Sequence, residues 1–227
     1  MHKIGNHLIE VENRIQKAAQ RCGRAPDSVQ LLAVSKTKPA SLIREAYAAG
    51  QTRFGENYLQ EALQKQVQLA DLPIEWHFIG AIQSNKTRAI AEHFDWVHTV
   101  EREKIARRLN EQRPPDKPPL NICLQVNLDR ETSKAGITLE QLPALLDSVA
   151  ELPNIRLRGL MAIPAPREDF ESQRLALLPL SRALQSLRQN HPGLDTLSMG
   201  MSADLEAAVA AGATLVRVGT DIFGARH

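Results

Sequence analysis

Aromatic residues are scarce in this 227-residue chain, at 4%, and cysteine is nearly absent, with Cys22 and Cys123 alone. The two cysteines form no CxxC pair, which excludes a disulfide scaffold. His77, His93 and His98 are scattered along the sequence, so no metal site is legible. No apolar run reaches the roughly 18 residues that spanning a bilayer takes, and the opening MHKIGNHLIE has no apolar leader core. An excess of one charge is missing too. With 28 Lys+Arg against 26 Asp+Glu the net charge is +2, which offers neither nucleic acid nor an anionic membrane an electrostatic footprint. The most basic stretch, Arg102 to Lys117, is interrupted by Glu103, Glu111 and Asp116 and reads as a solvated helix face and loop. What is present is 43% apolar residues, in a chain long enough to bury about 70% of its unfolded surface without staples. The expectation is a reduced cytoplasmic protein, and a monomer, because no conspicuous apolar patch is legible.

Short apolar, β-branched runs alternate with helical patterns. Candidate strands are Val29–Ser35, Thr52–Gly55, Glu75–Gly80, Trp96–Val100, Asn121–Asn127, Arg156–Ile163, Asp195–Gly200 and Thr214–Gly219. Between them lie helical stretches such as Ser41–Ala49, Tyr58–Leu69, Lys86–His93, Arg102–Glu111, Leu139–Glu151, Phe170–Gln189 and Asp204–Ala211. Eight strand–helix units imply parallel strands, and their number fits a (β/α)8 TIM barrel. An open doubly wound sheet is the competitor, but no GxGxxG follows the first strand. The expected organisation is one domain over residues 1–227. After the last strand only Thr220–His227 remains, too short for an eighth outer helix. Leu8, Val11, Ile15, Ala18 and Cys22 recur at helical spacing, so residues 1–25 are expected to form an extra N-terminal helix covering that seam. The Pro-rich stretches Arg113–Pro119 and Pro164–Pro166 read as loops.

Chemistry in such a barrel sits at the C-terminal strand ends. Lys36 ends the first strand. A partly desolvated amine there favours its neutral form, the form that condenses with an aldehyde, although a lysine snorkelling to water is the ordinary alternative. Lys38 precedes Pro39 and falls in a loop. The sixth strand delivers Met161. Ser198-Met199-Gly200-Met201-Ser202 runs from the seventh strand into a helix for which Ser202 is a candidate N-cap, and Gly219-Thr220 follows the eighth. Both turns suit a phosphate, and ordinary turn chemistry explains them equally well. Arg217 inside an apolar strand needs a partner: an acceptor ring nitrogen of a ligand, or a buried carboxylate. Asn57, His77, Gln83 and Asn127 are individually weak, and Glu131-Thr132-Ser133-Lys134 reads as a solvated loop.

The chain resembles the YggS/PROSC family of pyridoxal phosphate homeostasis proteins. The blocks that carry this are Ala33-Val34-Ser35-Lys36-Thr37-Lys38, Phe54-Gly55-Glu56-Asn57-Tyr58, Trp76-His77-Phe78-Ile79-Gly80 with Gln83-Ser84-Asn85-Lys86, Ser198-Met199-Gly200-Met201-Ser202, and Val216-Arg217-Val218-Gly219-Thr220 with Ile222-Phe223-Gly224-Ala225-Arg226. The resemblance implies a barrel like the N-terminal domain of alanine racemase, binding pyridoxal 5′-phosphate. Carried over, Lys36 is the Schiff-base lysine, Ser202, Gly219 and Thr220 fall at the phosphate, Arg217 beside the pyridine nitrogen and Asn57 near the ring. Ser198, Met199, Gly200 and His77 complete the set. Two departures are visible: Ala81-Ile82 replaces a bulkier pair, and Asp221 stands where a small residue is common. Both are expected to affect packing at the mouth more than cofactor attachment.

The family implies a non-catalytic carrier that buffers or delivers the cofactor, with PLP-dependent apo-enzymes as partners and an effect on amino-acid and keto-acid balance. An always-protonated arginine beside the ring nitrogen makes the pyridine a poorer electron sink. The resembling racemases also use a tyrosine from a further domain, whereas Tyr47 and Tyr58 are the only tyrosines here. The competing readings are a PLP-dependent racemase or lyase and a phosphate-ester isomerase on the same barrel.

Overall fold

The computed structural model describes residues 3–131 and 134–225; Thr132 and Ser133 of the polar loop, Arg226 of the last family block, and the residues at either end lie outside them. Eight parallel strands close a barrel in sequence order: β1 Gln30–Val34, β2 Arg53–Glu56, β3 Glu75–Phe78, β4 Trp96–Val100, β5 Leu120–Val126, β6 Ile155–Ala162, β7 Thr196–Ser198 and β8 Leu215–Val218. The expected (β/α)8 architecture is therefore the observed one. Ala33 pairs with Phe54 across β1–β2 and with Val218 across β1–β8, which closes the ring.

Helices α2 Ala40–Ala48, α3 Leu59–Gln68, α4 Thr87–His93, α5 Glu103–Gln112, α6 Leu142–Ala150, α7 Phe170–Leu187 and α8 Leu205–Ala210 follow β1 to β7 in turn. Alternation along each strand divides the core. Leu31 and Ala33 pack outward with Ile43 and Ala46, whereas Trp96, Cys123 and Met161 form a separate cluster within the barrel. Burial pushes the Cys123 thiol up to about 12, so it stays neutral among these apolar neighbours. Within the polar stretch after Arg102, Arg113 is buried and donates from Nη1 to the carbonyls of Ala91 and Phe94.

The N-terminal helix α1 spans Lys3–Arg21 and buries Ile4, Leu8, Val11, Ile15 and Ala18. After β8 the chain makes one helical turn, α9 Thr220–Phe223. Helix α1 packs against α8, α9 and α2, so it fills the place between the seventh and first outer helices. Among the described residues no helix is long and apolar enough to cross a membrane.

Two local expectations are corrected. Ser202 does not cap the seventh crossover helix: α8 starts at Leu205, Asp204 is its N-cap, and the Asp204 carboxylate accepts the Met201 N–H at 2.6 Å. The Asp204 carboxylate thus turns back on the β7–α8 turn, holding residues 201–204 as a turn ahead of the helix. Met161 is not at the mouth either. Met161 sits deeper, against Trp96 and Cys123, because Ile163, two residues on, is the β6-side residue that reaches the cavity.

Candidate functional site

A cavity of about 280 Å³ opens at the C-terminal ends of the strands. It is lined by Lys36 and Val34 from β1, Asn57 after β2, Ile79 after β3, Ile163 after β6, Met201-Ser202-Ala203 after β7, and Arg217, Gly219 and Thr220 from β8. Six residues singled out in the sequence therefore meet: Lys36, Asn57, Ser202, Arg217, Gly219 and Thr220. Among the described residues Lys36 is the one lysine in this lining. Lys38 instead donates to the Ala225 carbonyl at 2.8 Å.

Helix α3 grips the backbone on either side of Lys36. Lys65 Nζ donates to the Ser35 carbonyl and to Glu56 Oε1, both at 2.8 Å, and also to Glu61. Glu61 accepts the Thr37 N–H at 2.6 Å, and Ser35 Oγ donates to Glu56 at 2.6 Å. Thr37 has φ 63°, a left-handed conformation that a β-branched residue adopts only when its surroundings hold it. Burial raises the Glu56 pKa, against the Lys65 cation that lowers it. Lys36 is thus the residue between two anchored peptides.

Arg217 is buried and its partners are neutral: Nη1 donates to Ser198 Oγ at 2.7 Å and Nη2 to the Ala162 carbonyl at 3.0 Å. Among the described residues no carboxylate pairs with it. Burial lowers its pKa to about 10, so it remains a cation at neutral pH. From Ser198 a chain of hydrogen bonds descends the barrel interior. Ser198 Oγ lies 2.7 Å from His98 Nδ1, His98 Nε2 lies 2.9 Å from His77 Nδ1, and His77 Nε2 lies 2.9 Å from Glu75 Oε1. Burial holds both imidazole pKa values down, furthest for His98, which also faces His77 and the Arg217 cation. Glu75, lowered chiefly by its bond to His77, is an ionised acceptor. That fixes the direction: His77 donates to Glu75, neutral His98 donates to His77, and Ser198 donates to His98 while accepting from Arg217.

Four sequence candidates lie outside the lining. His77 is stacked on Trp96 inside the barrel with its ring centroid 5.4 Å away. Ser198 faces Arg217 and His98. Met199 is buried in the outer core. Gly200 has φ 95°, and a Cβ there would lie 2.5 Å from that of Ala208; its carbonyl accepts the Arg217 N–H at 2.9 Å. Asn127 ties its own loop together, donating to the carbonyls of Glu131 and Lys134.

Residues 7–227 match the family model of the alanine racemase N-terminal domain. A Pseudomonas aeruginosa protein named pyridoxal phosphate homeostasis protein is 62% identical over 226 residues, covering 100% of this chain and 97% of its own. The Escherichia coli K12 protein of the same name is 54% identical, covering 100% and 98%. The chain belongs to the pyridoxal phosphate homeostasis protein family. Among solved structures, PipY of Synechococcus elongatus PCC7942 with PLP bound is 41% identical with a TM-score of 0.85, covering 98% of this chain and 100% of that one. The alanine racemase of Corynebacterium glutamicum, at 17% identity and TM-score 0.68, shares the fold and covers 95% of this chain and 60% of its own.

For this family member, sequence reasoning missed the apolar wall of the cavity. Val34 lies two residues before Lys36, and inward alternation along β1 was the available signal. Ile79 and Ile163 each lie one residue beyond the last residue of β3 and β6. His98 was also missed, because a separation of 21 residues hides a direct contact between neighbouring strands.

Proposed function

We propose that this chain holds pyridoxal 5′-phosphate at Lys36 and serves its homeostasis, and with it amino- and keto-acid balance, as a cytoplasmic monomer that passes the cofactor to PLP-dependent apo-enzymes. The observation that carries this reading is the joint placement of one lysine, one uncompensated arginine and two small-residue turns around a single cavity.

The fit can be argued atom by atom. Asn57 Oδ1 is buried and has no protein partner, so it suits a ligand donor such as the ring hydroxyl. Arg217 presents a cation, already held by Ser198, to the ring nitrogen. Ser202 offers a hydroxyl, and Gly219 and Thr220 offer backbone, to the phosphate. A side chain at Gly219 would bring Cβ to 3.0 Å from the Val34 carbonyl and close in on the same space. When bound, the cofactor supplies an aldehyde that condenses with an amine with loss of water. Lys36, fixed by the grip of Lys65 and Glu61 on its neighbours, is placed to supply that amine.

The non-catalytic reading rests on Arg217. A permanent cation beside the ring nitrogen keeps that nitrogen unprotonated and withholds the electron sink that carbanion chemistry needs. The purified protein is expected to be yellow, and borohydride is expected to fix the cofactor on the Lys36 peptide. Label on Lys38 or Lys86 would overturn the assignment, and absence of any cofactor absorbance after reconstitution would overturn the function.

A further inference from the structure

Helix α1 reaches the cavity wall through one side chain. Arg14 Nε and Nη2 donate to the two oxygens of Glu206 at 2.8 and 3.0 Å. Nη1 donates to Asp221 Oδ2 at 2.6 Å, and Nη2 also donates to the Ser202 carbonyl at 3.0 Å. Four hydrogen bonds thus tie one guanidinium to the β7–α8 turn, to α8 and to α9. Two of these segments supply Ser202 and Thr220 to the cavity, and Asp221 is the next residue after Thr220. His7 Nδ1 adds a second tie from α1, to the Ile222 carbonyl at 2.9 Å.

The charges make the arrangement specific to an anion. Glu206 and Asp221 put two carboxylates behind the wall against which a phosphate would rest. Unopposed, they would repel each other and a dianion beyond them. Arg14 lies between them and anchors the Ser202 carbonyl, which holds the backbone of the turn that carries the Ser202 hydroxyl. All three side chains are about one-third exposed, so solvent weakens the effect without abolishing it.

We propose that Arg14 is a positioning residue for the phosphate half of the site, and that cofactor retention is thereby coupled to docking of α1. This rests on the cofactor reading above. By linkage, a partner that lifts α1 from the barrel weakens the hold on a phosphorylated ligand, and a bound phosphorylated ligand strengthens α1 docking.

The test compares dissociation constants of pyridoxal 5′-phosphate and of pyridoxal for the full-length native chain, Arg14→Met, Arg14→Lys, and Arg14→Met combined with Glu206→Gln and Asp221→Asn. Arg14→Met is expected to weaken the phosphorylated ligand about tenfold, equivalent to ~1.4 kcal/mol, and pyridoxal by less than about twofold. Arg14→Lys, a cation without the fork, is expected to fall between. Neutralising the two carboxylates is expected to restore most of the loss. If Arg14→Met does not fold, Glu206→Gln with Asp221→Asn beside the native Arg14 carries the test, with a gain in affinity expected for the phosphorylated ligand alone. Equal losses for both ligands, or an unchanged ratio in the Arg14 variants, would overturn the inference while leaving the cofactor site standing. A native protein that binds the two ligands equally would instead overturn the phosphate reading itself.

Discussion

Acidification from pH 7 to pH 5 is expected to destabilise the fold through the two imidazoles inside the barrel. His77 and His98 are fully buried, and burial lowers the pKa of each. In the unfolded chain both titrate near about 6.5. Between the folded and unfolded values the unfolded state binds more protons, so stability falls as pH drops below about 6.5. A histidine that stays neutral throughout contributes RT ln(1 + 10^1.5), about 2 kcal/mol, to that loss at pH 5. The pair therefore removes at most ~4 kcal/mol from a stability on the order of 5–15 kcal/mol. His98 supplies the larger share, because the bond to Glu75 opposes the shift of His77. Other groups separate by sign or window. Glu75, Asp195 and Glu206 are lowered, and their contributions are lost only below the usual carboxylate range. Glu56 is raised, so protonating it on acidification favours the fold. The decisive comparison is native protein against His98→Gln, which is neutral at every pH, by urea unfolding at pH 7, 6 and 5. The native chain is expected to lose up to about 2 kcal/mol more than the variant between pH 7 and 5. Equal losses would show that His98 is not held neutral in a dry interior.

Three further outcomes are expected. In Gly80→Ala the new Cβ would lie 2.1 Å from the Asn57 carbonyl, so Asn57 is driven from the cavity wall; thermal melts should show a loss of ~1–3 kcal/mol, and cofactor absorbance should fall with it. Lys65→Met leaves buried Glu56 and the Ser35 carbonyl without their cation, so urea unfolding should show a loss of a few kcal/mol, about 3–5 at most, partly restored by adding Glu56→Gln. Alanine added to the loaded protein in heavy water should exchange its Cα proton far more slowly than the roughly 1–1000 per second of enzymes; NMR detection of rapid, Lys36-dependent exchange would mean that this protein is a catalyst.

Most strands were legible as apolar, often β-branched runs ended by polar turns, Lys36 and the Gly219-Thr220 turn because they follow such runs, and Arg217 because it interrupts one from within. What stayed hidden depends on neighbours in space. His77 and His98 look scattered in sequence, yet they occupy inward positions on adjacent strands. Met161 was misplaced because β6 reaches the cavity only at Ile163, two residues further along the same face. Ser202 was read as a cap because its type is right, but Asp204 takes that position and Arg14, 188 residues away, claims the Ser202 carbonyl. Asp221, expected to matter only for packing, turns out to be a salt-bridge partner of that same arginine.

The bond from His7 to Ile222 joins residues 215 positions apart. Helix α1 precedes β1 to β8 in the chain and its packing is complete only once β8 and α9 exist, so these contacts close a loop over most of the described residues. At about 5–20 residues per second, a ribosome needs roughly 10–40 s to deliver the last strand after α1 has emerged. During that interval α2 alone, of the three helices that α1 packs against, is there to cover its apolar stripe. Between the emergence of α1 and that of α9 the nascent chain therefore carries an amphipathic helix that is only partly covered, which makes α1 the element most in need of a chaperone and the last to acquire full protection from proteases and hydrogen exchange.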